Sequence, residues 1–358
     1  MVKNKNIGII VEINPDLTYL APLCVELKKN CFVVIVFALK NKRVKPHYSP
    51  FLHPEHISTV ASDKIVWYYN SVELAEKLKQ EDISVVFTKE DVPFEADPEL
   101  FKDRHYRVYS LVHSVDNLHI RGIACGVLDK SIVGFEKYGE YLGWNKNDYI
   151  ALGLPKYDVI SSFKKEEIIK KYNLPDKYIL LLTPNNNLLS WFVVYKIIRQ
   201  VRRAGYRVVL KGKKPKCHKL IYYLFAKKYF LSDLSFYPFI THELIFASNG
   251  VVGFDTTAVE EILMCERPLV NFSIKPYRDK AAREGNFKQF VPMWGASFAL
   301  DLNIMDYKKL GMFKKLPEFV SHFVKTDIDY RKIQQEVFSM PGGASKRVVD
   351  WLERELEI

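Results

Sequence analysis

Short apolar runs alternate with amphipathic segments along most of the chain. In the first half the apolar runs are Ile7–Val11, Val33–Phe37, Val85–Phe87 and Val108–Val112, and helical patterns cover Leu17–Lys29 and Val72–Gln80. Continuous β-branched runs separated by helices are typical of parallel strands that are buried on both faces. The pattern predicts a first α/β domain that closes with strand Tyr149–Leu152 and the turn Gly153–Asp158.

A second alternation follows the charged helical segment Lys164–Lys177, which we interpret as the boundary between two halves. The next predicted elements are strand Tyr178–Thr183, helix Leu188–Ala204, strand Arg207–Leu210 and a helix near Lys219–Tyr229. The last element is an amphipathic helix, Ala344–Glu357. We therefore place one doubly wound, Rossmann-like domain at 1–163 and a second at 164–340, facing each other across a cleft. Residues 341–358 would form a helix that packs across the domain boundary.

The stretch Ile245–Ser273 predicts a βαβ unit with a candidate ligand site. It contains strand Gly250–Gly253, the polar corner Phe254–Thr257, a helix from about Ala258 to Cys265, and strand Pro268–Phe272. Ligands of open parallel sheets bind outside the carboxyl ends of the strands, where a helix N-terminus offers free N–H groups. Asp255, Thr256 and Thr257 stand at that corner, and Glu261 follows one turn later, where a carboxylate suits ribose hydroxyls.

An alternative interpretation of the same corner involves no ligand. Asp255 or a threonine would cap the helix, and Glu260 and Glu261 would interact favourably with its dipole, as in many proteins.

Length and composition narrow the class of protein. At 358 residues the chain suits two domains, and its net charge of +11 (53 Lys and Arg against 42 Asp and Glu) suits acidic ligands, a membrane surface or nucleic acid. The five cysteines form no CxxC or Cys/His spacing, so neither a disulfide framework nor a zinc site is indicated. No signal-type or membrane-spanning apolar run is found, and we expect a cytoplasmic location.

The chain resembles the two-domain glycosyltransferases of the GT-B type. Within that superfamily it is most similar to the UDP-N-acetylglucosamine 2-epimerases and the CDP-glycerol glycerophosphotransferases. The shared features are the polar pair Thr256–Thr257, the acidic Glu261 and the dipeptide Arg267–Pro268. The resemblance implies phosphate and ribose roles for this set, and it implies that Lys211, the basic residue at the end of the preceding strand, faces the nucleotide phosphates. Lys213 and Lys214 beyond it fit a solvated basic loop equally well.

The N-terminal half resembles the epimerases in part. Glu12–Asp16 followed by Leu20–Leu23 resembles their GTRPE…APL opening, but Asn14 stands in place of the arginine. Their Thr-His-Arg-x-Glu-Asn signature is also changed, because Pro184 follows Thr183 here. Both departures favour a transferase over an epimerase.

Two residues of the first half are candidate catalytic bases. His113 follows a predicted buried strand, and the resemblance to glycerophosphotransferases implies that it takes a proton from the acceptor hydroxyl. Asp16, on the first loop, is the second candidate, because GT-B enzymes often use a carboxylate of this domain. Asp116 and His119 are substitutes if His113 is structural.

Two further patterns have ordinary explanations. Asp327–Asp329 forms a DxD sequence, but its place before a helix favours a helix cap over a metal site. Lys213–Lys228 mixes lysines with aromatic residues, yet its apolar spacing fits a core-facing helix, and no nucleic-acid motif accompanies it. The same segment would also suit peripheral binding to an anionic inner membrane leaflet.

The combined prediction is a metal-independent glycosyltransferase without a cofactor. It would move a sugar from a nucleotide-sugar donor to a hydroxyl of a surface glycan or lipid-linked acceptor. A CDP-glycerol-type glycerophosphotransferase is the first alternative. A nucleotide-sugar isomerase and a non-catalytic nucleotide-binding homologue are the others.

Overall fold

A computed structural model describes residues 5–40, 52, 54–89, 98–112, 126–134, 136, 144–183, 191–212, 227–231, 237, 239–254, 258–273, 299–303, 312–337 and 342–357. The chain forms two compact units. Unit 1 comprises Met1–Ser161, Phe236–Pro238 and Phe338–Ile358, and unit 2 comprises Ser162–Ser235 and Phe239–Val337.

Unit 1 is built on a parallel sheet of seven described strands. These are β1 (Asn6–Val11), β2 (Val33–Leu39), β3 (Lys64–Tyr68), β4 (Ile83–Lys89), β5 (Arg107–Leu111), β6 (Lys130–Val133) and β7 (Tyr149–Ala151). Their order in the sheet is β3-β2-β1-β4-β5-β6-β7. Five strands coincide with the predicted apolar runs, while β3 and β6 were not predicted. The doubly wound α/β architecture is thereby confirmed for this half.

The helices of unit 1 cover and connect the sheet. They are α1 (Asn14–Lys29), α2 (Pro54–Ile57), α3 (Ser71–Gln80) and the 3₁₀-helices Pro98–Phe101 and Pro155–Ser162. Helix α1 begins three residues before the predicted Leu17, because Pro15 suits the first helical turn and Asp16 accepts the N–H groups of Glu12 and Ile13. One face of the sheet buries Phe37, Leu78 and Phe101 in a common apolar core.

Unit 2 is built on a second parallel sheet. Its described strands are β8 (Tyr178–Leu182), β9 (Arg207–Gly212), β10 (Lys228–Leu231), β11 (Val251–Gly253), β12 (Leu269–Ser273) and β13 (Ala299–Asn303). They lie in the order β10-β9-β8-β11-β12-β13. The second half is therefore also doubly wound, as predicted.

The helices of unit 2 precede, connect or follow these strands. They are α4 (Lys165–Tyr172), α5 (Trp191–Arg203), α6 (Ile240–Ala247), α7 (Val259–Met264), α8 (Met312–Lys325) and α9 (Tyr330–Val337). The predicted helix near Lys219–Tyr229 is wrong at its end, because Lys228 and Tyr229 pair with β9 in strand β10. The rest of that prediction lies outside the described residues. Asp329 accepts the N–H of Lys332 at 3.1 Å, which confirms it as a helix cap.

The closing helix α10 (Ala344–Glu355) groups with unit 1. Its Trp351 packs edge-to-face on Tyr109 of β5, with ring centroids 4.7 Å apart. Near its end, Leu356 accepts a hydrogen bond from the Lys5 side chain at 2.9 Å. Packing of this helix across the domain boundary stays a prediction. None of the helices in the described part of the chain combines the length and apolar character that a bilayer-spanning segment needs.

Candidate active site

Each sheet has one place where the strand order reverses direction. In unit 1 this point lies between β1 and β4, and in unit 2 it lies between β8 and β11. Chain connections leave such a point in opposite directions, which opens a crevice at the carboxyl ends of the two strands. Polar side chains at these two strand ends are therefore the first candidates for binding and catalysis.

Asp16 and Lys89 span the reversal point of unit 1. Asp16 lies in the first turn of α1, just after β1, and Lys89 is the last residue of β4. Asp16 Oδ1 lies 3.5 Å from Lys89 Nζ, and both side chains are at most 10% exposed. Asp16 Oδ2 accepts the backbone N–H groups of Glu12 at 2.9 Å and Ile13 at 3.0 Å. The structure thus places Asp16 at the predicted edge, with both oxygens facing donors of its own unit.

Glu12 lies directly after β1, beside Asp16. Its carboxylate Oε1 accepts a hydrogen bond from the hydroxyl of Tyr68, at the end of β3, at 3.3 Å. Burial, with a smaller contribution from the charge of Asp16, raises the pKa of Glu12 to about 7, although the Tyr68 hydrogen bond opposes the shift. Burial and the Glu12 charge also raise the pKa of Tyr68. Glu12 was not among the predicted site residues, although an acidic residue at the end of the first strand was visible in the sequence.

Two lysines lie around the ring of Tyr19 in α1. Lys89 Nζ is 5.9 Å and Lys156 Nζ is 5.2 Å from the ring centroid. Lys156 is only 2% exposed and also lies 4.6 Å from the ring of Tyr157. The π faces of these rings stabilise ammonium groups that have lost most of their water. The Tyr19 ring of α1 therefore lies beside two buried ammonium groups, one from β4 and one from the 3₁₀-helix Pro155–Ser162.

Asn14, which stands where the epimerase pattern has arginine, has a structural role. It is 1% exposed, and its side-chain amide donates to the backbone carbonyl of Tyr237 at 3.2 Å. Its Oδ1 accepts a hydrogen bond from His56 Nδ1 at 2.8 Å. Tyr237 also shares a hydrogen bond of 2.9 Å with Thr59, through the two hydroxyl groups. Asn14 thus links α1, the residues around α2 and Tyr237 within unit 1.

Lys211 lies at the carboxyl end of β9, one strand away from the reversal point of unit 2. Its side chain is buried, and Nζ donates to the carbonyl of Gly212 at 3.2 Å. Thr183, which follows β8, donates its backbone N–H to the carbonyl of Lys211 at 2.8 Å. The strand pairing therefore puts Lys211 at the sheet edge where the sequence analysis expected phosphate contacts.

Of the remaining predicted site residues, the structure describes some and leaves others outside the described residues. Glu261 lies in α7 and is half-buried, with its Oε2 atom buried. Arg267 donates through Nε and Nη2 to the carbonyl of Phe246, at 2.9 and 2.6 Å, so it holds the end of α6. Asp255, Thr256, Thr257 and the candidate base His113 lie outside the described residues, as do Asp116, His119, Pro184, Lys213 and Lys214. The roles assigned to them stay predictions.

In the described part of the chain, no three His, Cys, Asp or Glu side chains come together as metal ligands would. Metal independence and the absence of a cofactor stay predictions.

Comparisons with known proteins identify the fold. No protein-family model and no curated protein matches the sequence. Among solved structures, the Methanocaldococcus jannaschii UDP-GlcNAc 2-epimerase in complex with UDP-GlcNAc and UDP matches with a TM-score of 0.60 and 14% identity, over 98% of this chain and 99% of that chain.

Two further solved structures match over similar lengths. The H444N variant of the wall teichoic acid polymerase TagF, soaked with CDPG, has a TM-score of 0.62 and 14% identity, over 99% of this chain and 89% of that chain. A glycosyltransferase from Rickettsia africae has a TM-score of 0.51 and 12% identity, over 99% of both chains. The chain therefore has a GT-B-like fold, as predicted from the sequence.

Proposed function

We propose that this GT-B-like chain is a transferase that uses a nucleotide-activated donor. In the form we favour, it moves a sugar from a nucleotide-sugar to a hydroxyl of a surface glycan or lipid-linked acceptor, without a metal. The observation that carries the proposal is the pair of doubly wound sheets, with Asp16 and Lys89 at the reversal point of unit 1 and Lys211 one strand away from that of unit 2. Fold neighbours that bind UDP-GlcNAc, UDP or CDPG support the choice of donor class.

Unit 2 is proposed to bind the nucleotide. Lys211 would neutralise negative charge on the departing phosphate, since an ammonium group can do so without a metal. Thr256, Thr257 and Asp255 would bind at the corner after β11, and Glu261 would accept hydrogen bonds from the ribose hydroxyls. Unit 1 is proposed to bind the acceptor and to supply the base.

The glycerophosphotransferase is retained as the second candidate function, because TagF shares the fold over nearly all of this chain. In that reaction the acceptor hydroxyl would attack phosphorus rather than an anomeric carbon. The isomerase is less well supported, since Asn14 is buried and linked to His56 and Tyr237 where the epimerase pattern has a phosphate-binding arginine.

A ligand screen followed by product analysis tests the proposal. Thermal unfolding would be measured with UDP, CDP, GDP, CMP and their sugar or glycerol conjugates. A ligand at a hundred times its dissociation constant adds about 2.7 kcal/mol to the free energy of unfolding. Release of a nucleoside diphosphate from a nucleotide-sugar would identify sugar transfer, and release of CMP from CDP-glycerol would identify glycerophosphate transfer. An altered sugar on an intact nucleotide would identify an isomerase, and no shift with any ligand would contradict all three.

Binding variants locate the donor in unit 2. Lys211→Met is expected to weaken nucleotide binding about tenfold or more, and Glu261→Ala to abolish binding of the donor. Lys170→Met and Glu166→Ala, on the exposed surface of α4, are the matched controls and are expected to bind like the wild type.

Membrane association is a separate part of the proposal. A peripheral position on an anionic cytoplasmic leaflet would bring the enzyme to a lipid-linked acceptor, and the net charge of +11 supports it. Sedimentation with anionic liposomes at low salt tests this point, and no binding would contradict it.

A further inference from the structure

We infer that Glu12 is the catalytic base of unit 1, the group that removes the proton from the acceptor hydroxyl. This inference rests on the transferase function proposed above and extends it to a residue that the sequence motifs did not single out. It gives Glu12 the role that the sequence analysis offered to His113 or Asp16, and it makes Asp16, Lys89 and Tyr68 positioning residues.

The two carboxylates differ in their hydrogen-bond donors, and this difference supports Glu12 as the base. Asp16 has one oxygen on two backbone N–H groups and the other 3.5 Å from Lys89 Nζ, so its lone pairs are directed at groups of its own unit. Glu12 is half-buried, and among the residues that the structure describes only Tyr68 donates to its side chain, through Oε1. Its second oxygen therefore has no donor from the described residues and is suited to accept a substrate hydroxyl.

The position of Glu12 in the fold gives independent support. It is the first residue after β1, and β1 and β4 are the strands that flank the reversal point of the sheet. This edge of a doubly wound sheet is where ligands bind. The side chain is fixed from two directions, by Tyr68 from β3 and by the turn that Asp16 holds through the Glu12 backbone.

The electrostatic surroundings match the requirements of a base. Of the described residues, the charged and titratable groups that act on this carboxylate are Asp16 on α1 and Tyr68 on β3, and Lys89 on β4 acts through Asp16. Burial and the Asp16 charge hold the pKa of Glu12 near 7, so a base of useful strength is present at neutral pH. A carboxylate with an ordinary pKa near 4 would accept a proton much less readily.

The proposed step is balanced in atoms and charge. The acceptor oxygen forms a bond to the anomeric carbon while its proton moves to Glu12. The bond between that carbon and the phosphate oxygen breaks, and its electron pair leaves with the nucleoside diphosphate. Tyr68 holds Oε1 during the step, and Lys89 compensates the charge of Asp16.

Glu12→Gln tests the assignment, because it keeps the shape and the Tyr68 hydrogen bond but removes the basic oxygen. The probes are UDP-GlcNAc and CDP-glycerol as donors, with glycerol at molar concentration as the hydroxyl acceptor. Release of the nucleotide product is expected to fall by about 100-fold or more, and the dissociation constant of the nucleotide to change less than about threefold. Glu76→Gln, on the exposed face of α3, is the matched control and should match the wild type.

The roles of Tyr68 and Asp16 as positioning residues are tested by the pH dependence of the reaction rate. Variants that only disturb the structure would not shift this pH profile in opposite directions. Tyr68→Phe removes a hydrogen bond to the ionised carboxylate, so the acidic limb of the profile should move to higher pH. Asp16→Asn removes a neighbouring negative charge, so the limb should move to lower pH.

The possible failures are distinguishable. A wild-type protein that binds no donor, or binds one and releases no nucleotide, would overturn the transferase function and the role of Glu12 together. Wild-type rates in Glu12→Gln, with donor binding intact, would overturn the role of Glu12 alone. Shifts of the two profiles in the same direction would overturn the roles of Tyr68 and Asp16.

Discussion

The carboxylate of Asp158 caps the helix that begins at Ala344. Oδ1 accepts the backbone N–H of Ala344 at 2.9 Å, and Oδ2 accepts that of Ser345 at 2.7 Å. Arg347 of the same helix donates through Nε to the carbonyl of Leu152 at 2.9 Å. These hydrogen bonds join the turn that ends the predicted first domain to the glycine-rich start of the closing helix. The two segments are 186 residues apart in the sequence and belong to unit 1.

Asp158→Ala is expected to destabilise unit 1. The substitution leaves two N–H groups at the start of α10 without their acceptor and removes a negative charge from the positive end of the helix dipole. A loss of about 1–2 kcal/mol is expected, which urea unfolding followed by circular dichroism would measure. Asp350→Ala, at an exposed position of the same helix, is the control and should cost less than about 0.5 kcal/mol. Equal effects of the two changes would contradict the capping role.

Asn14→Arg tests whether this position can return to the epimerase pattern. Asn14 is buried with partners on both ends of its amide, so an arginine there would bury a charge and would break the bonds to Tyr237 and His56. A loss of about 3 kcal/mol or more is expected in thermal or urea unfolding. Asn30→Arg, at the exposed end of α1, is the control and should be neutral. A stable Asn14→Arg protein with raised affinity for UDP would instead support the isomerase hypothesis.

The sequence predicted most strands of the two sheets, but it missed β3 and β6 in unit 1. Strand β3 contains the apolar run Ile65–Tyr68 but lies at an edge of the sheet with mostly half-buried side chains, and β6 opens with Lys130 and Ser131, so only two apolar residues follow. Ser131 is nevertheless buried, because its hydroxyl pairs with that of Ser110 at 2.9 Å. Such long-range compensation leaves no local pattern.

The candidate site was also predictable only in part. The sequence placed Asp16 and Lys211 at strand ends, because the carboxyl edge of a parallel sheet follows from the strand pattern alone. It did not identify Glu12, whose properties depend on Tyr68, a residue 56 positions away on a strand that was not predicted. It also assigned Arg267 to a ligand-binding motif, where the structure shows bonds to the carbonyl of Phe246.

Glu243→Ala is expected to loosen the packing of α4 on α6 in unit 2. Glu243 accepts hydrogen bonds from Lys171 Nζ at 2.8 and 3.0 Å and from the hydroxyl of Tyr172. Because one partner is charged and the other is part-buried, a loss of about 2 kcal/mol is expected in urea unfolding. Lys171→Ala removes only the more exposed partner and should cost less than about 1 kcal/mol. The reverse ranking would show that the ion pair, rather than the tyrosine, holds the two helices.

The raised pKa of Glu12 predicts a stability difference that requires no substrate. In the unfolded chain this carboxyl ionises near its ordinary value of 4.5, whereas in the folded protein it keeps its proton until the pH reaches about 7. Between these values the folded state binds more protons, so this group lowers the free energy of unfolding as the pH rises from 4.5 to 7 and has a constant effect above it. Glu12→Gln removes that penalty.

The variant should therefore equal the wild type in stability at pH 4 and exceed it at pH 8. The gain is expected to be on the order of 2 kcal/mol, because partial exposure reduces the full effect of the pKa shift. Urea unfolding at several pH values would measure it, with Glu76→Gln as a control that shows no such trend. A difference that stays constant from pH 4 to pH 8 would mean that Glu12 titrates normally in the folded protein. A protein that becomes more stable and less active on losing one carboxylate would have the trade-off expected of a buried catalytic group.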